Sequence, residues 1–488
     1  MHLSLQDPGL LRNQSYINGQ WVAAVGGATF AVINPANGQE LARVADHGAI
    51  QTVQAIEAAE IAMANWRKRP AKERSQVLRR WFELVMQHQE DLAQIMTAEQ
   101  GKVLAESRQE IAYAASFIEW FAEEAKRIYG DVLPGAEGLR LVVTKQPVGV
   151  VGAITPWNFP AAMITRKAGP ALAAGCSIVI KPAAETPLSA LALAELADRA
   201  GIPAGVLNVV AGLDARAIGK ALTDSPVVRK LTFTGSTPVG KKLLEQSAAT
   251  VKKVSMELGG NAPIIVFDDA DLDQAVAGAV ASKYRNAGQT CVCANRVMVQ
   301  AGVYDLFLEK FVAAVSRLQL GNGAQQGITL GPLITAKAAN DVDSLVREAT
   351  QQGARVVLGG GAASDLGECY YQPTILADAS SDMRVFREEI FGPVAPVYRF
   401  ADEAQAIAMA NDTEFGLAAY LYTRDVGRVW RVSEGIDYGM VGVNEVAITS
   451  EVIPFGGMKE SGLGREGSKY GIEDYIEVKY ICMGGIDR

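Results

Sequence analysis

Histidine is nearly missing from this chain: His2, His47 and His88 are the three in 488 residues. All lie early, and none sits beside a glycine-rich or cysteine-containing motif. A Ser-His-Asp triad, a Cys-His pair and a histidine-rich zinc site therefore drop out, and no metal site is expected. Cysteine is scarce as well. Five residues, Cys176, Cys291, Cys293, Cys369 and Cys482, make no disulfide framework in so long a chain and point to a reducing, cytoplasmic setting. Positive charge is not in excess. A net charge of −8 and a pI of about 5.3 argue against nucleic acid or an anionic membrane as the main partner. No apolar run reaches the length of a membrane span; the richest, 188–197, is short and carries Glu195. Residues 1–13 lack the basic-then-apolar pattern of a signal peptide. A Gly-x-Gly-x-x-Gly fingerprint is missing too, with Gly235 and Gly240 only a trace of one.

What is present is an alternation of strand and helix patterns. Residues 14–45 read as hairpins, and 49–129 as helical, with Ile111, Ala115, Ile118 and Phe121 on one face of a long helix over 105–128. From Val148 onward, strands are expected at 149–154, 177–180, 206–210, 231–233 and 253–256, with helices between them. That repeat describes βαβ units and a doubly wound parallel sheet, whose ligands bind at the carboxyl ends of the strands. The polar motifs fall there. Thr155-Pro156-Trp157-Asn158 follows the first strand, and Lys181-Pro182-Ala183-Ala184 the second. Thr234-Gly235-Ser236 opens a helix whose backbone N–H groups suit a phosphate. A second α/β unit starts at Ala262, with strands expected at 263–267, 296–300, 355–358, 372–376, 394–400 and 440–444. Two distant alternating segments, 139–145 and 475–481, suit one small sheet, read either as a projecting oligomerisation element or as ordinary core.

Between these units lies the chemistry. Glu257 stands on a glycine-rich turn after an apolar strand, and Cys291 follows a small-residue turn. A strand and a helix between them suffice to bring both to one cleft. A thiolate nucleophile and a carboxylate base act together at a carbonyl carbon. Read singly, each residue is equally at home as a small buried thiol or a solvated carboxylate.

Seven motifs in order resemble the aldehyde dehydrogenase superfamily over nearly the whole chain. They are Pro156-Trp157-Asn158-Phe159, Lys181-Pro182-Ala183, Phe233-Thr234-Gly235-Ser236, Glu257-Leu258-Gly259-Gly260, Gly288-Gln289-Thr290-Cys291, Glu389-Ile390-Phe391-Gly392-Pro393 and Pro454-Phe455-Gly456-Gly457. Within it the chain is most similar to the succinate-semialdehyde dehydrogenases, through Met163-Ile164-Thr165-Arg166-Lys167, Arg285-Asn286 to Cys293, and Ser461 to Ser468. The resemblance implies a cofactor domain at 1–128 and 148–258, a catalytic domain at 259–460 and an oligomerisation element at 129–147 and 470–488 in a homodimer or homotetramer. It implies Cys291 as nucleophile, Asn158 as oxyanion donor and Glu257 as the base that hydrolyses a thioester. Thr155, Pro156, Trp157, Lys181, Ala184, Gly235, Ser236, Leu258, Glu389 and Phe391 would hold the dinucleotide. Ala184 stands where NAD-preferring relatives often carry glutamate, so NADP is expected to be preferred over NAD. Arg166, Arg285 and Thr449 would hold a distal carboxylate on the aldehyde, the alternative for the arginines being structural ion pairs. Succinate semialdehyde is the expected substrate, with glutarate semialdehyde or a broader range of ω-semialdehyde acids as the alternative. A non-catalytic binding or structural member of the family is the alternative from another class, against which the intact Cys291, Glu257 and Asn158 argue. The resemblance also makes Cys293 a redox partner for Cys291, with a packed small residue as the alternative.

Overall fold

The computed structural model describes residues 3–485; His2 and the last three positions of the expected oligomerisation element, 486–488, lie outside the described residues. Near the start, Asn18 and Gly19 both take left-handed conformations (φ 52° and 75°). A type I′ hairpin turn requires such a pair, and it folds Ser15–Ile17 back on Gln20–Val22. A second hairpin pairs Thr29–Ile33 with Glu40–Ala45.

Val150–Ile154, Ile178–Lys181, Leu207–Val209, Val228–Thr234 and Lys253–Glu257 form the parallel heart of an eight-stranded sheet. Their side chains are almost all buried, as strands covered on both faces must be. The covering helices are Ala162–Ala174, Pro187–Arg199, Ala215–Asp224 and Thr237–Ala248. From Val150–Ile154 the chain steps outward through Ile178–Lys181 to Leu207–Val209, then returns to the opposite side of Val150–Ile154 with Val228–Thr234. The strand order reverses there. A crevice opens at such a switch point because the two loops leave in opposite directions. Here those loops begin at Thr155 and at Gly235.

The second sheet has seven strands in the order Arg355–Leu358, Thr374–Ala377, Val394–Phe400, Ala294–Gln300, Ala262–Val266, Ala418–Tyr422 and Met440–Val443. Two details differ from the sequence reading. The strand expected over 372–376 begins at Thr374, after Pro373, which has no N–H to give a ladder. Ala418–Tyr422 was not anticipated. It is buried throughout, so it shows no alternation to distinguish it from a piece of buried helix.

The long helix is α-helical over Leu104–Glu124 and tightens into a 3-10 turn over Ala125–Arg127, rather than running evenly to 128. Ile111, Ala115, Ile118 and Phe121 are buried in the same core as the helix Ala162–Ala174. Asp131–Leu133, Leu139–Pro147 and Ile476–Gly484 make a small antiparallel sheet, in register from Ile476 opposite Pro147 to Gly484 opposite Leu139.

Candidate active site

A cavity of about 260 Å³ occupies the crevice at the switch point. Pro156, Trp157, Asn158 and Phe159 line it from one loop with Met163 on the helix that follows, and Thr234, Gly235 and Ser236 from the other strand end and its loop. Leu258, Gly259 and Cys291 close its floor, and Glu389 and Phe391 reach in from the second unit. Phe391 holds φ 51° and stands edge-on to Trp157, with ring centroids 5.6 Å apart.

Cys291 sits on a loop that passes through three successive left-handed residues, Asn286, Ala287 and Gly288 (φ 51°, 55° and 76°). A β-carbon on Gly288 would lie 2.2 Å from the Gly392 carbonyl, so the turn has no room for a side chain. Gly260 passes directly beneath, where a β-carbon would meet the Cys291 carbonyl at 2.3 Å. The glycines therefore let the strand end carrying Glu257 and the loop carrying Cys291 come into contact. The apolar surroundings push the Cys291 thiol up to about 12, Glu389 adding to the rise and Arg166 opposing it.

Asn158 is buried, and its Nδ2 donates to the Gln289 carbonyl at 3.1 Å. A primary amide has two N–H donors, so one remains for a further acceptor. Glu257 ends the strand Lys253–Glu257 and is 2% exposed, yet it lies outside the cavity lining. Neither carboxylate oxygen has a hydrogen-bond partner. Burial raises its pKa well above the usual range, Glu466 raises it further, and Arg166 and Lys167 oppose. Lys167 pairs with Glu466 and donates to Thr234 Oγ1 at 2.7 Å.

The strand-end residues suit a dinucleotide. Gly235 and Ser236 precede the helix Thr237–Ala248, which has no side-chain cap; Pro238 offers no N–H, and those of Thr237 and Val239 suit a phosphate. Lys181 ends the neighbouring strand with a buried amine, and the buried Thr155 hydroxyl has no partner. Burial lowers the Lys181 pKa while Glu185 raises it, so these two side chains feel each other beside Ala184. Glu389 accepts from the Gly260 N–H at 3.1 Å, and burial raises its carboxyl to about 7.

The expected substrate groups lie outside the cavity lining. Arg166 is fully buried, 3.9 Å over the Phe455 ring and 2.9 Å from Glu466 Oε2, with Nη2 unpartnered. The Arg285 guanidinium lies 5.4 Å over the Phe159 ring. Burial raises the Tyr113 hydroxyl, while Arg166, a hydrogen bond with Thr449 and Arg285 lower it, which gathers all three groups around one tyrosine. Cys293 is buried, its thiol donating to the Gly288 carbonyl at 3.4 Å and accepting from Lys283 Nζ at 3.8 Å. Cys291 and Cys293 are both free thiols.

Sequence reading missed a charged group behind Asn158. Lys102 pairs with Glu110, both side chains 1% exposed, and Glu106 accepts from the Asn286 N–H. Three charges at a spacing of four, Lys102, Glu106 and Glu110, were the available signal. Tyr113 went unremarked for lack of any motif chemistry of its own, and Lys167 was read only as part of the stretch Met163-Ile164-Thr165-Arg166-Lys167.

The aldehyde dehydrogenase family model matches residues 21–481. The succinate-semialdehyde dehydrogenase [NADP(+)] of Escherichia coli is 62% identical over 483 residues, covering 99% of this chain and 100% of that protein. A glutarate-semialdehyde dehydrogenase of Pseudomonas aeruginosa is 60% identical, with 99% and 100% covered. The crystal structure of an NADP-dependent enzyme of E. coli superposes with a TM-score of 0.97 at 61% identity, covering 99% of this chain and 100% of that one.

Proposed function

Because the chain belongs to the aldehyde dehydrogenase family, we propose that it oxidises succinate semialdehyde to succinate, preferring NADP to NAD. The observation that carries the reading is the meeting of Cys291 and Asn158 in one cavity at the strand ends, beside the unpartnered carboxylate of Glu257. Cys291, once deprotonated, attacks the aldehyde carbon. The oxyanion accepts from the free N–H of Asn158 Nδ2 and from the Cys291 backbone N–H. A nicotinamide held in this cavity would supply the acceptor for the hydride that leaves that carbon. Cys291 is left as a thioester. Glu257 then takes a proton from water, the water adds to the thioester carbonyl, and the acid leaves with the thiolate restored. Burial and the neighbouring Glu466 raise the Glu257 pKa, which disfavours the carboxylate form that this step uses. Lys181, with Ala184 leaving room beside it, suits a 2′-phosphate. Gly235 and Ser236 suit the pyrophosphate, and Glu389 a ribose. Thr155, Pro156, Trp157, Leu258 and Phe391 complete the walls.

Arg285, with Arg166 and Thr449 near Tyr113, supports a carboxylate at the far end of the substrate. Glutarate semialdehyde is the second reading, favoured by the 60% identity to an enzyme named for it. One methylene shifts discrimination by only about 1–3 kcal/mol. The domain assignment, with cofactor residues at 1–128 and 148–258, catalytic residues at 259–460 and an oligomerisation element at 129–147 and 470–488, belongs to the same reading. So do a homo-oligomer built through that element and a cytoplasmic setting suited to five free cysteines. The test is Glu257→Gln. It is expected to give a burst of reduced cofactor and a succinyl thioester on Cys291, detected by mass spectrometry of the quenched protein. A burst without an adduct on Cys291 would sink the mechanism.

A further inference from the structure

The helix Leu104–Glu124 lies behind the cavity and supplies no lining residue. Its first turns nevertheless hold both sides of the oxyanion site. Lys102 Nζ, just before the helix, donates to the Asn158 backbone carbonyl at 2.7 Å and lies 4.0 Å over the Phe159 ring. It pairs with Glu110 Oε2. The other oxygen of Glu110 accepts from the Ala161 and Ala162 N–H groups at 3.0 and 3.3 Å. Those groups open the helix Ala162–Ala174, so Glu110 caps it from a distance. The turn 158–162 is thus gripped at both ends by one buried ion pair.

The cysteine side is held from the same helix face. Glu106, one turn before Glu110, accepts from the Asn286 N–H through both oxygens at 3.1 Å. Asn286 is the first of the left-handed residues of the cysteine loop. Its side-chain Nδ2 donates to the Asn158 carbonyl at 3.1 Å and to the Gln289 carbonyl at 3.2 Å. The Asn158 amide donates to that same Gln289 carbonyl. The two expected oxyanion donors, Asn158 Nδ2 and the Cys291 N–H, therefore belong to loops that are tied to each other and to one helix.

A buried ion pair is weak evidence for stability, because desolvating two charges offsets much of their attraction. What it supplies here is position. We propose that Lys102, Glu106 and Glu110 are positioning residues that set the distance between the Asn158 amide and the Cys291 loop, and so act on catalysis through Asn158 without touching substrate or cofactor. The inference rests on Asn158 being the oxyanion donor, and its test separates the two.

The test is a double-mutant cycle on kcat with succinate semialdehyde and NADP, using the full-length protein. Asn158→Ala alone checks the donor; an unchanged kcat would remove both the donor assignment and this inference. Given a loss there, Lys102→Met in the wild-type background should lower kcat by about tenfold to a hundredfold, the scale of a small misplacement. The NADP dissociation constant and the rate of Cys291 alkylation should stay near wild type. In the Asn158→Ala background, Lys102→Met should change kcat by less than about twofold, because the group it acts through is gone. The same factor in both backgrounds would overturn the proposal. Should Lys102→Met not fold, Lys102→Met with Glu110→Gln, which leaves no unpaired charge, takes its place in the cycle; failure of both to fold would make the cluster structural and overturn the proposal too. On the cysteine side, Glu106→Ala should lower kcat and Glu106→Gln should restore it, since an amide oxygen still accepts from Asn286. A glutamine variant no better than alanine would contradict the contact.

Discussion

Cys291 keeps its proton in the free protein, because its apolar surroundings raise the thiol to about 12. Below that value the thiolate fraction grows about tenfold per pH unit. Alkylation by iodoacetamide without cofactor should therefore accelerate steadily between about pH 7 and about pH 9, and a plateau within that range would show a less buried thiol. Arg285 lies over the Phe159 ring and close enough to Glu106 and Tyr113 to oppose the rise that burial gives each of them. Arg285→Ala should cost about 2–5 kcal/mol in kcat/KM for an aldehyde bearing a carboxylate and leave butanal nearly untouched. Equal losses would make it structural. Arg166 differs, since it faces Glu466, and its substitution should also lower the melting temperature. At this scale the sequence was unusually legible for residues with chemistry of their own. Cys291, Asn158, Gly235 and Glu389 line one cavity, and each stands in a recognisable motif. Lys102 and Glu106 were not legible, because a lysine or glutamate near a helix start reads as a solvated residue until its partners, 56 and 180 positions away, are known.

The elements were legible wherever a pattern had one face. The hairpin at Asn18-Gly19 and the pairing of Leu139–Pro147 with Ile476–Gly484 follow from turn chemistry and alternation. Ala418–Tyr422 escaped because a strand buried on both faces carries no period. The cysteine loop is the element on which the site depends most, and its strain is concentrated in 286–288. Gly288→Ala places a β-carbon 2.2 Å from the Gly392 carbonyl at φ 76°. It should destabilise the protein by more than the roughly 1–2 kcal/mol of left-handed strain alone, read as a fall in melting temperature, and should lower turnover. Gly302→Ala, where a β-carbon meets nothing within 4 Å, should do neither. Similar behaviour of the two variants would mean that the loop relaxes freely.

At the scale of the molecule, the small sheet leaves Val478 and Tyr480 at 67% and 58% exposure, two apolar side chains on one face of the strand Ile476–Gly484 and suited to a second copy. Val478→Asp with Tyr480→Asp should reduce the assembly to a smaller species by light scattering, and an unchanged mass would place the interface elsewhere. Ala184→Glu should raise KM for NADP by about tenfold or more while sparing NAD, since a carboxylate beside Lys181 repels a 2′-phosphate. Unchanged discrimination would move the selectivity to Glu185, which already acts on Lys181. All of these bear on the proposal that an aldehyde with a distal carboxylate reacts at Cys291. The most direct measurement is kcat/KM with NADP for succinate semialdehyde against butanal, which has the same chain length and no acid. A preference for the acid of about a hundredfold or more, roughly 2.7 kcal/mol, is the expected result; equal values for the two aldehydes would contradict the assignment of the arginines and of the substrate together.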